Sequence, residues 1–146
     1  MIMRYSEIDL QCEDITWFGV DANNRIIAFA SGGIGNIPEF VCRSKEETNE
    51  LYDYFYDTLA ITTTGHALVA GCNSLISEFV ELSSKGLYCF DVETQNSEGE
   101  IYMKISYPDT PILFDDLPDN VKAIMQDHII DADIVGSNQI HVPHAY

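Results

Sequence analysis

Four acids follow one another at spacings of four, three and four: Glu46, Glu50, Asp53 and Asp57. At about 100° per residue they make one stripe down a helix, opposite an apolar face of Leu51, Phe55 and Leu59. Like charges at i,i+4 cost a few tenths of a kcal/mol per pair, and Glu46–Glu50 and Asp53–Asp57 are both such pairs. The helix dipole offsets this near the N-terminus but not at Asp57. A stretch selected for helix stability alone would interleave lysines; here the only cation is Lys45, at its start. Two readings follow. The stripe is the solvated outer face of an acidic protein, or it is a docking face for a basic partner, with Tyr56 beside it. A second acidic patch, Asp115, Asp116 and Asp119, marks the start of a later helix, where acids are also ordinary capping chemistry.

Other chemistries find less support. Of the histidines, His141 and His144 lie three apart across Pro143 with no Cys or acid joining them, and none of the four builds an H-E-x-x-H pair, so no metal site is expected. Ser31-Gly32-Gly33-Ile34-Gly35 lacks the Lys-Ser/Thr of a P-loop and the spacing of a dinucleotide fingerprint; a tight strand-to-loop reversal accounts for it. Asp21 opens a calcium-loop-like run that fails at its sixth and twelfth positions. Cys12, Cys42, Cys72 and Cys89 form no C-x-x-C pair and read as free, mostly buried thiols in a reducing cytoplasm, with a disulfide as the alternative. No two carboxylates stand out as an acid–base pair. The expectation is therefore a protein that is not an enzyme, with no catalytic residues and no cofactor.

The elements that must position the acids are legible in outline. Ile15–Asp21 and Arg25–Ser31 are strands around the turn Ala22-Asn23-Asn24. Ser44 and Glu47 form a capping box that starts a helix from Lys45 to about Leu59. Asn73 or Ser74 caps a second helix through Leu82 or Ser83, and Gly86 follows its end. The stretch from Gly65 to Gly71 reads as either a short helix or a strand. Leu87–Thr94 and Glu100–Tyr107 form a second hairpin across Gln95–Gly99, with Ile101, Met103 and Ile105 on one face. Ile112–Phe114 is a possible short strand, Pro118 opens a third helix, and Gln139–Val142 pairs as an edge strand. Trp17 and Phe18 belong to the core, with a surface anchor as the alternative. Strands arranged in hairpins predict an α+β fold: an antiparallel or mixed sheet of two β-hairpins with about three helices packed against it. Residues 1–146 form one globular domain.

Composition bounds the function. In 146 residues there are 24 Asp+Glu and 7 Lys+Arg, a formal charge of −17, with 46% hydrophobic residues. That field repels nucleic acid and anionic lipid, so neither is expected as a direct partner. No apolar run reaches the ~18–20 residues of a membrane span, and no signal segment opens the chain, so the expected location is cytoplasmic.

The run Ile15-Thr16-Trp17-Phe18-Gly19-Val20-Asp21, then Ile26–Gly33 and Ile37-Pro38, resembles the opening of small acidic uncharacterised bacterial proteins, some of them immunity-protein-like. Lys85-Gly86-Leu87-Tyr88, Pro111-Ile112-Leu113 and Asp116-Leu117-Pro118 are similar in character. The resemblance implies a toxin–immunity system and carries no catalytic residue. The leading expectation is a binding protein that neutralises a basic cognate toxin, such as a nuclease, through Glu46, Glu50, Asp53, Tyr56 and Asp57. The alternative is a small ligand-binding or enzymatic domain with a pocket near Gly32–Gly35. A homo-oligomer formed through a sheet edge is a third reading.

Overall fold

The computed structural model describes residues 2–69, 73–95, 97–143 and 145. Cys72, Asn96 and His144, and the end of the Gly65–Gly71 stretch from Ala70, lie outside the described residues. The fold is α+β. Its elements are α1 (Glu7–Cys12), β1 (Thr16–Val20), β2 (Ile26–Ala30), α2 (Glu39–Cys42), α3 (Lys45–Asp53), β3 (Gly65–Ala67), α4 (Ser74–Ser83), β4 (Tyr88–Val92), β5 (Ile101–Pro108), α5 (Asp119–Met125) and β6 (Gln139–His141). A π-helical turn, Tyr54–Thr58, extends α3, and a 3-10 turn, Phe114–Asp116, precedes α5.

Both predicted hairpins form, β1–β2 and β4–β5. They join through a parallel β2–β4 pairing, which makes the sheet mixed. The strand order is β1-β2-β4-β5-β3, with β6 also pairing β5, and the sheet curls into a half-barrel. The open stretch at Gly65 resolves as the short strand β3, while Ile112–Phe114 gives one bridge, Leu113 to Arg25, rather than a strand.

Every residue of β2 is buried, because both faces of the sheet are covered. One face carries Trp17, Ile27, Phe29, Phe90 and Tyr102, under Leu10 of α1, Val41 of α2 and the C-terminal residues Ile130, Ile134 and Ile140. Here Trp17 stacks on Phe29 at 3.9 Å and meets Tyr102 edge-on at 5.6 Å. Such aromatic pairs add about 0.5–1.5 kcal/mol beyond area burial. The other face carries Phe18, Val20, Ile26, Ala28 and Cys89, under Leu51, Phe55, Phe79, Leu82, Val121 and Met125 from α3, its π turn, α4 and α5. Trp17 and Phe18 thus enter opposite cores, as strand alternation requires.

Strand β5 carries an irregularity. The register against β4 shifts between Cys89, which pairs with Ser106, and Phe90, which pairs with Lys104, leaving Ile105 as the extra residue of a β-bulge. Ile101 and Met103 are only partly buried, and Tyr102 is the fully buried residue. The Tyr102 hydroxyl donates to the Asn36 carbonyl at 2.8 Å, and the Trp17 Nε1–H lies 3.3 Å from it. This hydroxyl explains Gly35: a Cβ there would sit 2.2 Å from the phenolic oxygen. Gly32 and Gly33 adopt φ of +59° and +81°, so the glycine-rich run is a chain reversal requiring left-handed backbone.

The C-terminal segment is fastened to β1 by His128. Its Nδ1 lies 3.1 Å from the Phe18 carbonyl, and since a carbonyl only accepts, Nδ1 carries the proton. The His128 carbonyl accepts from Val20 N–H at 2.8 Å. The ring is 1% exposed and its Nε2 has no hydrogen-bond partner; the Asp127 carboxylate is 4.0 Å away. Burial holds its pKa below the ordinary value of 6.5, against the opposing effects of the Phe18 bond and Asp127. The unfolded chain therefore takes up this proton first as pH falls. His128 contributes stability in full above about pH 6.5 and loses it as pH drops towards the depressed native pKa. The urea midpoint should fall between pH 7 and 5, and His128→Asn, which keeps a donor for Phe18, should flatten that slope.

Candidate functional site

Helix α3 places the predicted acids. Ser44 caps it, accepting from Glu47 N–H at 3.1 Å. The α-helical part ends at Asp53, not Leu59, and the chain widens into the π turn, closed by Leu59 N–H on the Tyr54 carbonyl at 2.8 Å. Lys85 holds this turn. Its ammonium, on a residue 5% exposed, donates to the Phe55 and Tyr56 carbonyls at 2.9 and 2.7 Å. Carbonyls at a helix end carry partial negative charge, so they are a fitting seat for a cation. The wider turn also takes Tyr56 and Asp57 off the regular 100° progression.

Glu46, Glu50, Asp53 and Asp57 are all exposed, but they differ in what they touch. Glu46 accepts Met3 N–H on both carboxylate oxygens, at 3.2 and 3.0 Å, and that bond holds its carboxyl below the usual range. It therefore fastens the N-terminal segment. Glu50 meets the Asn120 side-chain amide of α5 at 3.5 Å, which brings the two acidic patches onto neighbouring helices. Of the second patch, Asp116 accepts Leu113 N–H at 2.9 Å and shapes its turn. Asp115 and Asp119 are exposed at the turn and at the first residue of α5.

Tyr56 lies in the π turn. It stacks on Tyr52 at 4.1 Å, on the side of α3 that faces β1 and α4. Its hydroxyl is buried without a hydrogen-bond partner, and burial, with the Glu78 carboxylate beside it, pushes its ionisation far up.

That side of α3 opens a cleft of about 610 Å³ that the sequence reading missed. Glu13 and Asp14 come from the turn after α1, Thr16 from β1, Asn49 and Tyr52 from α3, Glu78 from α4, and Tyr5 lies at its edge. Asp14 is anchored by Gly32 N–H, which donates to it at 2.9 Å. Burial raises the Tyr52 phenol pKa, followed by the fields of Glu78, Asp57, Asp53 and Asp14. Tyr52 is thus the point where the cleft acids and the helix stripe meet. Capping signals could have revealed part of this wall: Ser6 and Asp9 form a capping box for α1, with bonds of 3.1 and 2.8 Å.

Cations are spent elsewhere. Arg4 pairs with Glu39, Arg25 with Asp21 and Asp133, Arg43 with Glu47 and Asp127, and Lys45 with Asp9. Among the described residues no ion pair reaches Glu13, Asp14, Glu50, Asp53, Asp57 or Glu78. No group of three His, Cys, Asp or Glu among them could hold a metal ion.

A smaller cleft of about 340 Å³ does adjoin the glycine-rich reversal, lined by Glu7, Gln11, Gly33, Gly35, Asn36 and Glu98 among others. Cys12 is exposed, whereas Cys42 and Cys89 are buried free thiols whose pKa values burial pushes up to about 11 and about 12. The two buried thiols are therefore poor nucleophiles. No helix among the described residues is long and apolar enough to cross a membrane. No protein-family model, curated protein or solved structure matches the chain.

Two substitutions test this local account. Lys85→Met leaves two buried carbonyls without a donor and should lower stability by about 2 kcal/mol, read from urea unfolding. Tyr56→Phe removes a buried hydroxyl that has no partner and should raise stability by about 1 kcal/mol.

Proposed function

We propose that this protein is an acidic binding module that captures and neutralises a basic protein, in the manner of an immunity protein acting on a cognate toxin. The observation that carries the reading is the uncompensated acidic flank. It runs from Glu13, Asp14 and Glu78, past Tyr52, to Asp53 and Asp57, and Glu50 adjoins α5. With only 7 Lys+Arg against 24 Asp+Glu, counter-charge for it must come from outside the chain. A nuclease fits that demand, because a surface that binds phosphates is itself basic. The free thiols Cys12, Cys42 and Cys89 accord with a cytoplasmic setting. Opposite fields accelerate encounter, and desolvated aromatic contacts such as one with Tyr52 hold the complex.

The second reading, a small ligand-binding or enzymatic domain, has its own support in the cleft beside Gly33 and Gly35. Its walls bring together Glu7, Gln11, Asn36 and Glu98, a polar set suited to orienting a small molecule.

Association with the protein encoded by the adjacent gene separates the two. Reversing Glu50 and Asp53 to Lys should slow association about tenfold at low salt and flatten its salt dependence, with dissociation little changed. Unchanged on-rates, or a neighbour that is neither basic nor bound, would overturn the proposal.

A further inference from the structure

The Tyr52 cleft is specific enough to name what enters it. We infer that it receives the guanidinium of an arginine presented by the basic partner, a reading that rests on the docking function proposed above. Four features point there.

The cleft holds carboxylates from two separate stretches of chain, Glu13 and Asp14 after α1 and Glu78 on α4, and the polar side chains of Asn49 and Thr16 line it with them. They are not gathered closely enough to ligate one metal ion. A planar cation with five donors in a fixed fork can reach acceptors on several walls at once, which a compact ammonium cannot. Second, an aromatic face is available. Tyr52 is 39% exposed and stacks on Tyr56 through one side only, among the ring contacts of the described residues. Guanidinium groups stack on such faces. Tyr5 already has the Lys45 ammonium at 5.4 Å from its ring centre, and Lys45 is tied to Asp9 at 2.9 Å.

Third, no Arg or Lys of the chain lines the cleft, whereas Glu39, Asp133, Asp127 and Asp9 are each paired with one. Fourth, at about 610 Å³ and open to solvent, it has room for a side chain and the backbone that carries it. The buried Tyr56 hydroxyl, which has no hydrogen-bond partner, lies near Thr16 and Glu78, two residues that line the cleft. Together these specify a pocket for an arginine-bearing loop, with Tyr52 as the stacking platform and Glu13 and Glu78 as opposed acceptors.

The test uses three blocked tripeptides, acetyl-Gly-X-Gly-amide with X as arginine, lysine or citrulline, titrated into the intact labelled protein and followed by amide chemical shifts. The arginine peptide should move the amides of Glu13–Thr16 and Asn49–Tyr52. Lysine should bind about fivefold more weakly, and uncharged citrulline should leave them in place. Tyr52→Leu and Glu78→Gln should each weaken the arginine peptide about fivefold, and Tyr52→Phe should retain it. If Glu78→Gln disturbs folding, as the spectrum itself would report, Glu13→Gln at an exposed position gives the same reading. Equal responses to lysine and arginine centred on Glu50 and Asp53 would overturn the pocket and leave the docking function standing. No shift with any peptide also overturns it. Arginine binding in the cleft without any effect of Glu50 and Asp53 reversal on partner association would retain the pocket and remove the docking reading.

Discussion

The parallel pairing of β2 with β4 governs the rest of the structure. It places a fully buried strand between two cores, so the sheet has no solvent face at its centre. Each side then needs its own cover. The aromatic side, built on the Trp17–Phe29 stack, is closed by short helices and the C-terminal segment. The aliphatic side is closed by α3, α4 and α5. The position of α3, and hence of every acid on it, follows from Leu51 and Phe55 being fully buried in that second core.

Charge is organised by scarcity. Four of the seven cations each tie one part of the chain to another: Arg4 to Glu39, Arg43 to Asp127, Lys45 to Asp9, and Arg25 to both Asp21 and Asp133. A fifth, Lys85, is buried on two carbonyls. Exposed pairs of this kind contribute at most about 1 kcal/mol each. Their larger consequence is what they leave behind. Once those cations are committed, the outer side of α3 and the Tyr52 cleft keep their negative field, which salt screens only beyond about 8–10 Å.

Much of this was legible in the chain. The two hairpins, the caps at Ser44 and Asn73, and the acidic stripe depend on neighbours within a few residues, where backbone propensity and periodicity decide. What escaped is equally specific. α2 is four residues long, too short to show a period, and α1 announces itself only through Ser6 and Asp9. The bulge at Ile105 of β5 is a property of two strands in register. The π turn depends on Lys85, some thirty residues away in the chain.

The charge of −17, the stripe Glu46, Glu50 and Asp53 and the α+β class were therefore determined by sequence alone, because each is composition or local spacing. Which acids stay uncompensated was decided only by the tertiary structure. Glu46 is taken up by Met3, whereas Glu13 and Asp14 from one segment and Glu78 from another meet beside Tyr52 on a third. Convergence of this kind is a property of packing: the segments meet because two buried cores bring them together, and nothing in their spacing along the chain encodes it.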